Sequence, residues 1–242
     1  MKKEEHYWFS PALQKDMPIA VYGHYGQAVL MIPTAAADYL EYERFQLLDH
    51  IRPLVEAGRF KIFSVNSINT ESWMHPSMEG AHKAIRHNQF NAYVTEEVVP
   101  FIRQHTSPET SIILTGASFG ALHSMNLFLR RPDLFSGVIA MSGVYDLTEY
   151  SKGYFDEQVY FNSPIHFIPN LTDHSTLEKM RSGKLILATG QGNHEDPEAN
   201  RRFSEVLWNK SIQHELALWG HDMHHDWPTW RQMLPYYLEN RF

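Results

Sequence analysis

Gly116-Ala117-Ser118-Phe119-Gly120 sets a serine between two glycines in the pattern G-x-S-x-G. A serine hydroxyl attacks a carbonyl carbon only when its turn exposes it and a neighbouring base takes its proton. The five residues stand between the apolar run Ser111 to Leu114 and a segment with helical patterning, Phe119 to Arg130. A nucleophile elbow requires that strand-turn-helix passage. Unpaired backbone N–H groups at the start of such a helix, that of Phe119 among them, would face a forming oxyanion. The plainer reading is a glycine-rich turn in which Ser118 caps the helix.

The chain has 15 histidines and no cysteine, so the base must be chosen by position, and thiolate chemistry and disulfides are excluded. The last β-type run, Glu215 to Trp219, leads into Gly220-His221-Asp222-Met223-His224-His225-Asp226-Trp227. Asp226 and Pro228 mark a helix entry there. A histidine anchored beside it keeps its ring orientation, which favours His225 as base over His221 and His224. The acid that orients the base should follow an earlier strand. Lys184 to Ala188 leads to Gly190-Gln191-Gly192-Asn193-His194-Glu195-Asp196-Pro197, and Asp196 is favoured as the commoner triad acid. Glu195 is its rival, since Asp196 before a helix could serve as N-cap, and Asp146 is a third candidate. Zinc ligands drawn from His221, Asp222, His224, His225 and Asp226 are a competing reading, but the triad already accounts for this loop, so no metal or other cofactor is expected.

The elements that must position these groups alternate along the chain. Apolar runs at Ala28 to Ile32, Phe60 to Val65, Ser111 to Leu114, Gly137 to Met141, Lys184 to Ala188 and Glu215 to Trp219 read as strands. Helical patterning falls between them at Tyr39 to Val55, about Asn88 to Gln104, Phe119 to Arg130, Pro197 to Asn209 and Trp227 to Leu238. That order predicts an α/β fold with a mostly parallel central sheet and helices on both faces. Tyr7 to Tyr22, interrupted by Pro11 and Pro18, suits antiparallel edge strands. Thr148 to Met180 is expected to be an irregular excursion near the active site. Its aromatic residues, including Tyr154 and Phe155, are expected to wall a substrate pocket that Trp73 closes from the other side.

With 242 residues, 43% of them hydrophobic, the chain is long enough to bury the core of one good-sized domain. It carries 21 basic and 28 acidic residues, a net charge of −7, which argues against a nucleic-acid partner. No apolar run reaches the roughly 18 residues of a membrane span. The opening Met1-Lys2-Lys3-Glu4-Glu5 is polar where a signal peptide is apolar. The sequence therefore reads as soluble and cytoplasmic, without a membrane partner, and leaves room for a homo-oligomer.

The chain order Ser118, Asp196, His225 resembles that of α/β-hydrolases and differs from the chymotrypsin and subtilisin orders. More narrowly, nearly the whole chain resembles the esterase branch that includes esterase D, enterochelin esterases, feruloyl esterases and mycolyltransferases. His225-Asp226-Trp227-Pro228-Thr229-Trp230 matches that branch's H-x-W-x-x-W string around the catalytic histidine. The resemblance implies a serine carboxylester hydrolase acting on small acyl or aromatic esters through an acyl-enzyme intermediate. It also implies a second oxyanion donor in the loop after the first central strand, here at Ala35 or Ala36, where the branch usually has glycine. The rival from another class is a catalytically idle binding protein of the same fold.

Overall fold

In the computed structural model, which describes residues 1–242, the apolar runs become the strands of one eight-stranded sheet. In chain order these are β1 (Lys3–Ser10), β2 (Lys15–Tyr22), β3 (Gln27–Ile32), β4 (Phe60–Val65), β5 (Ile112–Ala117), β6 (Gly137–Met141), β7 (Lys184–Thr189) and β8 (His214–Leu218). Their order across the sheet is β1-β2-β4-β3-β5-β6-β7-β8. The first two pairings, β1 with β2 and β2 with β4, are antiparallel, and all the others are parallel. Chains that leave parallel strands must cross over, and the helices that carry them cover both faces.

Side chains on successive strand residues point to opposite faces, so β3 serves two cores. Leu30 and Ile32 join one with Phe90, Ile102, Met125 and Phe203. Val29 and Met31 join the other with Leu48, Ile51, Met233 and Leu234. Across the centre of the sheet, the register places Ile32 beside Gly116, Ala117 beside Met141, Met141 beside Ala188 and Thr189 beside Leu218. The carboxyl ends of five neighbouring strands therefore finish level, and the loops that leave them converge on one edge.

The helices differ from the sequence expectation in three places. Tyr39 to Val55 is two helices, α1 (Glu41–Arg44) and α2 (Leu47–Glu56), parted at Gln46 with φ 61°. The apolar pattern runs through the break because Tyr42 and Leu47 bury in the same core. The helix expected from about Asn88 begins at Gly80: α3 (Gly80–Ala92) continues through a π-helical segment, Tyr93–Val98, into α4 (Val99–His105). Its first turns were unreadable as an amphipathic helix because their inward residues include Lys83 and His87. After α5 (Phe119–Arg130) and β6, the stretch Thr148 to Met180 is not irregular throughout. It holds α6 (Glu157–Asn162), α7 (Pro164–Phe167) and most of α8 (His174–Ser182), and the carboxylates of Asp156 and Asp173 cap the first and last of these. Helices α9 (Pro197–Asn209) and α10 (Trp227–Arg241) complete the chain.

The passage from β5 into α5 depends on two glycines in contact. A Cβ on Gly116 would overlap the backbone of Gly120, and one on Gly120 would overlap the carbonyl oxygens of Ile32 and Pro33. Helix α5 therefore rests directly on the end of β3. The expected outcome for Gly120→Ala is a loss of about 1 to 3 kcal/mol, the usual range for overpacking against atoms that cannot yield. Urea unfolding measures it, and a midpoint equal to wild type would show that the contact is not needed.

Candidate active site

Ser118 joins β5 to α5 with φ 57° and ψ −121°, a conformation that costs a non-glycine residue on the order of 1–3 kcal/mol. The turn is held because the Ser118 N–H donates to Met141 O (2.9 Å) and its carbonyl accepts from Ala121 N (3.1 Å) and Leu122 N (3.3 Å). Phe119 is the first residue of α5, so its N–H has no acceptor within the helix. Ser118 makes no side-chain hydrogen bond to its own helix, which sets aside the cap reading.

The acid and histidine loops are joined by backbone hydrogen bonds. Gln191 N donates to Gly220 O (3.2 Å), Gly192 N to Met223 O (2.9 Å) and His225 N to Asn193 O (3.0 Å). Of the two neighbouring acids, the structure brings Glu195 and not the favoured Asp196 to the histidine. Asp196 is exposed and caps α9, accepting from Ala199 N at 2.8 Å. Glu195 turns inward, its side chain 1% exposed, with Oε2 3.2 Å from Nδ1 of His225. The alternation of the chain explains this: the residue that starts a helix faces the helix end, and its neighbour faces the site. Asp146 is also exposed, closing its own turn through Thr148 N (2.9 Å) and Thr148 Oγ1 (2.6 Å).

Three further residues hold Glu195, and sequence reasoning missed them. Ser142 Oγ donates to Oε1 at 2.6 Å, Gly190 N donates to Oε1 at 3.1 Å, and Thr189 Oγ1 lies 3.1 Å from Oε2. Trp230 Nε1 donates in turn to Ser142 Oγ at 2.9 Å, so the second tryptophan of the H-x-W-x-x-W string supports the acid through a serine. Ser142 follows the apolar run of β6 directly, which was the available signal, but its partner lies 53 residues away. Burial pushes the Glu195 carboxyl up, yet the hydrogen bonds from His225 and Ser142 and the attraction of His225 outweigh it and hold the group below its ordinary value. An ionised carboxylate carries no proton, so Nδ1 of His225 must donate, and the neutral ring keeps its lone pair on Nε2.

The remaining histidines of that loop have other partners. His221 and His224 are exposed, and Nδ1 of His224 accepts from Asn193 N at 2.8 Å. Asp226 caps α10 through Trp227 N at 2.7 Å. The proposed zinc cluster of residues 221–226 is therefore not assembled. The one trio whose ligand atoms gather, within 4.8 Å, is Glu4, His6 and His105, on the edge strand β1 and at the end of α4, and Lys2 Nζ already pairs with Glu4 (2.5 Å).

The loop after β3 is tied on several sides. Thr34 donates to Glu41 through its N–H (2.8 Å) and its hydroxyl (2.5 Å), and Ala35 O accepts from Asn69 Nδ2 (2.6 Å) and Ser67 Oγ (2.9 Å). Neither Ala35 N nor Ala36 N has a backbone or side-chain acceptor. Of the expected pocket residues, Trp73 is buried in a cluster with Phe119 and Leu122. Tyr154 and Phe155 are 40% and 48% exposed, with the Tyr154 hydroxyl bonded to Asp156 (2.9 Å). From the excursion it is Tyr150 that packs edge-on against Phe119, with ring centroids 4.6 Å apart. A depression of about 440 Å³ lies elsewhere, at the amino ends of the strands, between Gln27, Arg59, Lys61 and Thr110.

A strained serine at a strand-to-helix turn, a histidine after the last strand and an acid after the strand before it define an α/β-hydrolase. Residues 64–240 match the family described as "Putative esterase", and the chain belongs to that family of carboxylic ester hydrolases. Solved structures agree on the fold. A ferulic acid esterase superposes with a TM-score of 0.75 at 18% identity, covering 98% of this chain and 96% of its own. Fluorophosphonate-binding serine hydrolase F of Staphylococcus aureus gives 0.75 at 13% identity, with 98% and 97% covered. An S-formylglutathione hydrolase from Agrobacterium tumefaciens gives 0.75 at 15%, with 98% and 93% covered. No curated protein sequence matches the chain. No helix is long and apolar enough to cross a membrane.

Behind the serine, two buried histidines touch: His87 Nε2 is 3.0 Å from His123 Nδ1. Burial, with the nearby His123 and Arg130 charges adding to it, pushes His87 well below its ordinary value, and burial alone takes His123 down to about 3. Below the unfolded value of about 6.5 the unfolded chain binds protons that the native state refuses, so stability present at pH 7 is lost on acidification towards pH 3. Each histidine contributes a slope of up to about 1.4 kcal/mol per pH unit. Urea unfolding between pH 7 and 5 should show a shallower fall for His123→Gln than for wild type, and parallel curves would contradict the assignment.

Proposed function

We propose that the enzyme hydrolyses small carboxylic esters through Ser118, His225 and Glu195. The observation that carries the reading is the contact of Glu195 with Nδ1 of His225 (3.2 Å), in a site where Ser118 occupies a strained elbow. His225 Nε2 takes the Ser118 proton as Oγ attacks the ester carbonyl carbon. The negative charge gathers on the carbonyl oxygen, which accepts hydrogen bonds from Phe119 N–H and from the loop at Ala35 and Ala36. When the tetrahedral intermediate collapses, His225 returns the proton to the departing alcohol, leaving an acyl-serine. Water then attacks the acyl carbon with His225 as base, the C–Oγ bond breaks as His225 returns the proton to Ser118 Oγ, and the carboxylic acid leaves.

Glu195 stays ionised throughout, fixing the tautomer and stabilising the imidazolium that forms at each proton transfer. A small acyl group suits the surroundings, because Phe119, the residue next to the nucleophile, is packed in by Tyr150 and buried Trp73. The names of the ferulic acid esterase and the S-formylglutathione hydrolase that share the fold are consistent with compact acyl groups.

Ser118→Ala is expected to lower kcat on p-nitrophenyl acetate by about three decades or more with the fold retained. Glu195→Gln should cost about a hundredfold or more. Asp196→Asn should stay within about twofold, since asparagine caps a helix as well as aspartate does. The reverse ranking of the last two would overturn the assignment of the acid. Across a series of p-nitrophenyl esters, kcat/KM should decline beyond about eight acyl carbons, and a maximum at long chains would refute the small-acyl reading.

A further inference from the structure

The two buried histidines belong to a longer chain of hydrogen bonds whose direction is settled by chemistry. Trp73 Nε1 can only donate, and it does so to His87 Nδ1 at 2.9 Å. A neutral His87 then carries its proton on Nε2 and donates to His123 Nδ1 (3.0 Å). His123 in turn carries its proton on Nε2 and donates to Asn69 Oδ1 (2.9 Å), which turns the Asn69 amide so that Nδ2 donates to Ala35 O (2.6 Å). Trp73, His87, His123 and Asn69 are all buried, and each ring nitrogen and amide group in the chain has its partner. A second proton on either histidine would set two donors face to face and break the sequence.

The chain also spans the two halves of the oxyanion hole. His123 belongs to α5, whose first residue supplies the Phe119 N–H, while Asn69 grips the loop that holds the other donor. The peptide from Ala35 to Ala36 is trans, so its N–H points opposite to its C=O. With Ala35 O fastened to Asn69 and Ser67, the Ala36 N–H is aimed away from them. Thr34 N is spent on Glu41, so it cannot contribute. We infer that Trp73, His87, His123 and Asn69 act as positioning residues that hold Ala36, rather than Ala35, as the second oxyanion donor, at a set separation from Phe119. This rests on the esterase reading above.

The interaction acts where charge develops, so losing it should lower kcat and leave KM nearly unchanged. For His123→Leu and for the double variant Ser67→Ala/Asn69→Ala, kcat on p-nitrophenyl acetate should fall about ten- to a hundredfold, with KM within about twofold. Affinity for phenylboronic acid, whose adduct with the serine mimics the tetrahedral state, should fall in step. His123→Gln should recover most of the loss, because its amide accepts through Oε1 and donates through Nε2 in the order that histidine does. A double variant with the wild-type melting temperature and wild-type kcat would overturn the inference, and so would equal kcat losses in the Gln and Leu variants. The double variant keeps every side chain of α5 and decides the matter if His123→Leu does not fold. Absence of ester turnover by the wild type would instead remove the esterase reading itself.

Discussion

Everything at the site depends on how closely α5 approaches the sheet. Helices usually stand about 10 Å from the strands they cover, but here the first turn of α5 meets the ends of β5 and β3 with backbone against backbone. Gly116 against Gly120, and Gly120 against the carbonyls of Ile32 and Pro33, leave no volume for a Cβ. That approach forces Ser118 into its left-handed turn and brings the amino end of α5 beside the loop after β3. The strain at one residue is offset by the sheet hydrogen bond to Met141 and by the buried apolar surface of α5.

The same edge is completed by a second backbone-to-backbone assembly. The loop after β7 and the loop after β8 are joined by three backbone-to-backbone hydrogen bonds and by side-chain bonds from Gln191 and to His224, which fix Glu195 and His225 relative to each other. Glu195 has partners on both oxygens from Ser142, Gly190, Thr189 and His225. A carboxylate so deeply buried is tolerable because these donors replace the water it has lost. Trp230, through Ser142, carries the support down to α10. The residues framing the histidine thus serve the acid at least as directly as they serve the histidine.

One group of buried polar side chains joins α3 and α5 to the segment 69–73: Lys83, His87, His123 and Asn69. Lys83 is bonded to the carbonyls of Trp73 and Tyr150 (3.2 and 3.1 Å), and the histidines to each other and to Trp73 and Asn69. Hydrogen bonds set orientation where apolar contacts set only distance, and these bonds reach the loop after β3 through Ala35 O.

The alternation of strands and helices, the turn at G-x-S-x-G and the helix entry beside His225 were legible in the sequence because each rests on local chemistry. Apolar runs, glycines at a tight turn and an Asp-x-Pro helix entry act within a few residues of themselves. The start of α3 was hidden because the pattern that reveals a helix assumes an apolar inner face, and here that face is Lys83 and His87. The acid could not be decided from neighbours that are chemically alike: Asp196 and Glu195 differ by which way the chain faces once α9 begins. The packing of the excursion was hidden for a related reason, since Tyr150, Tyr154 and Phe155 are equally aromatic but only Tyr150 packs on Phe119. Local chemistry therefore determined most of the elements and singled out Ser118 and His225. Tertiary structure alone placed Glu195 rather than Asp196 against His225, supplied its supports and built the chain behind the loop after β3, because each depends on groups distant in sequence meeting at hydrogen-bond range.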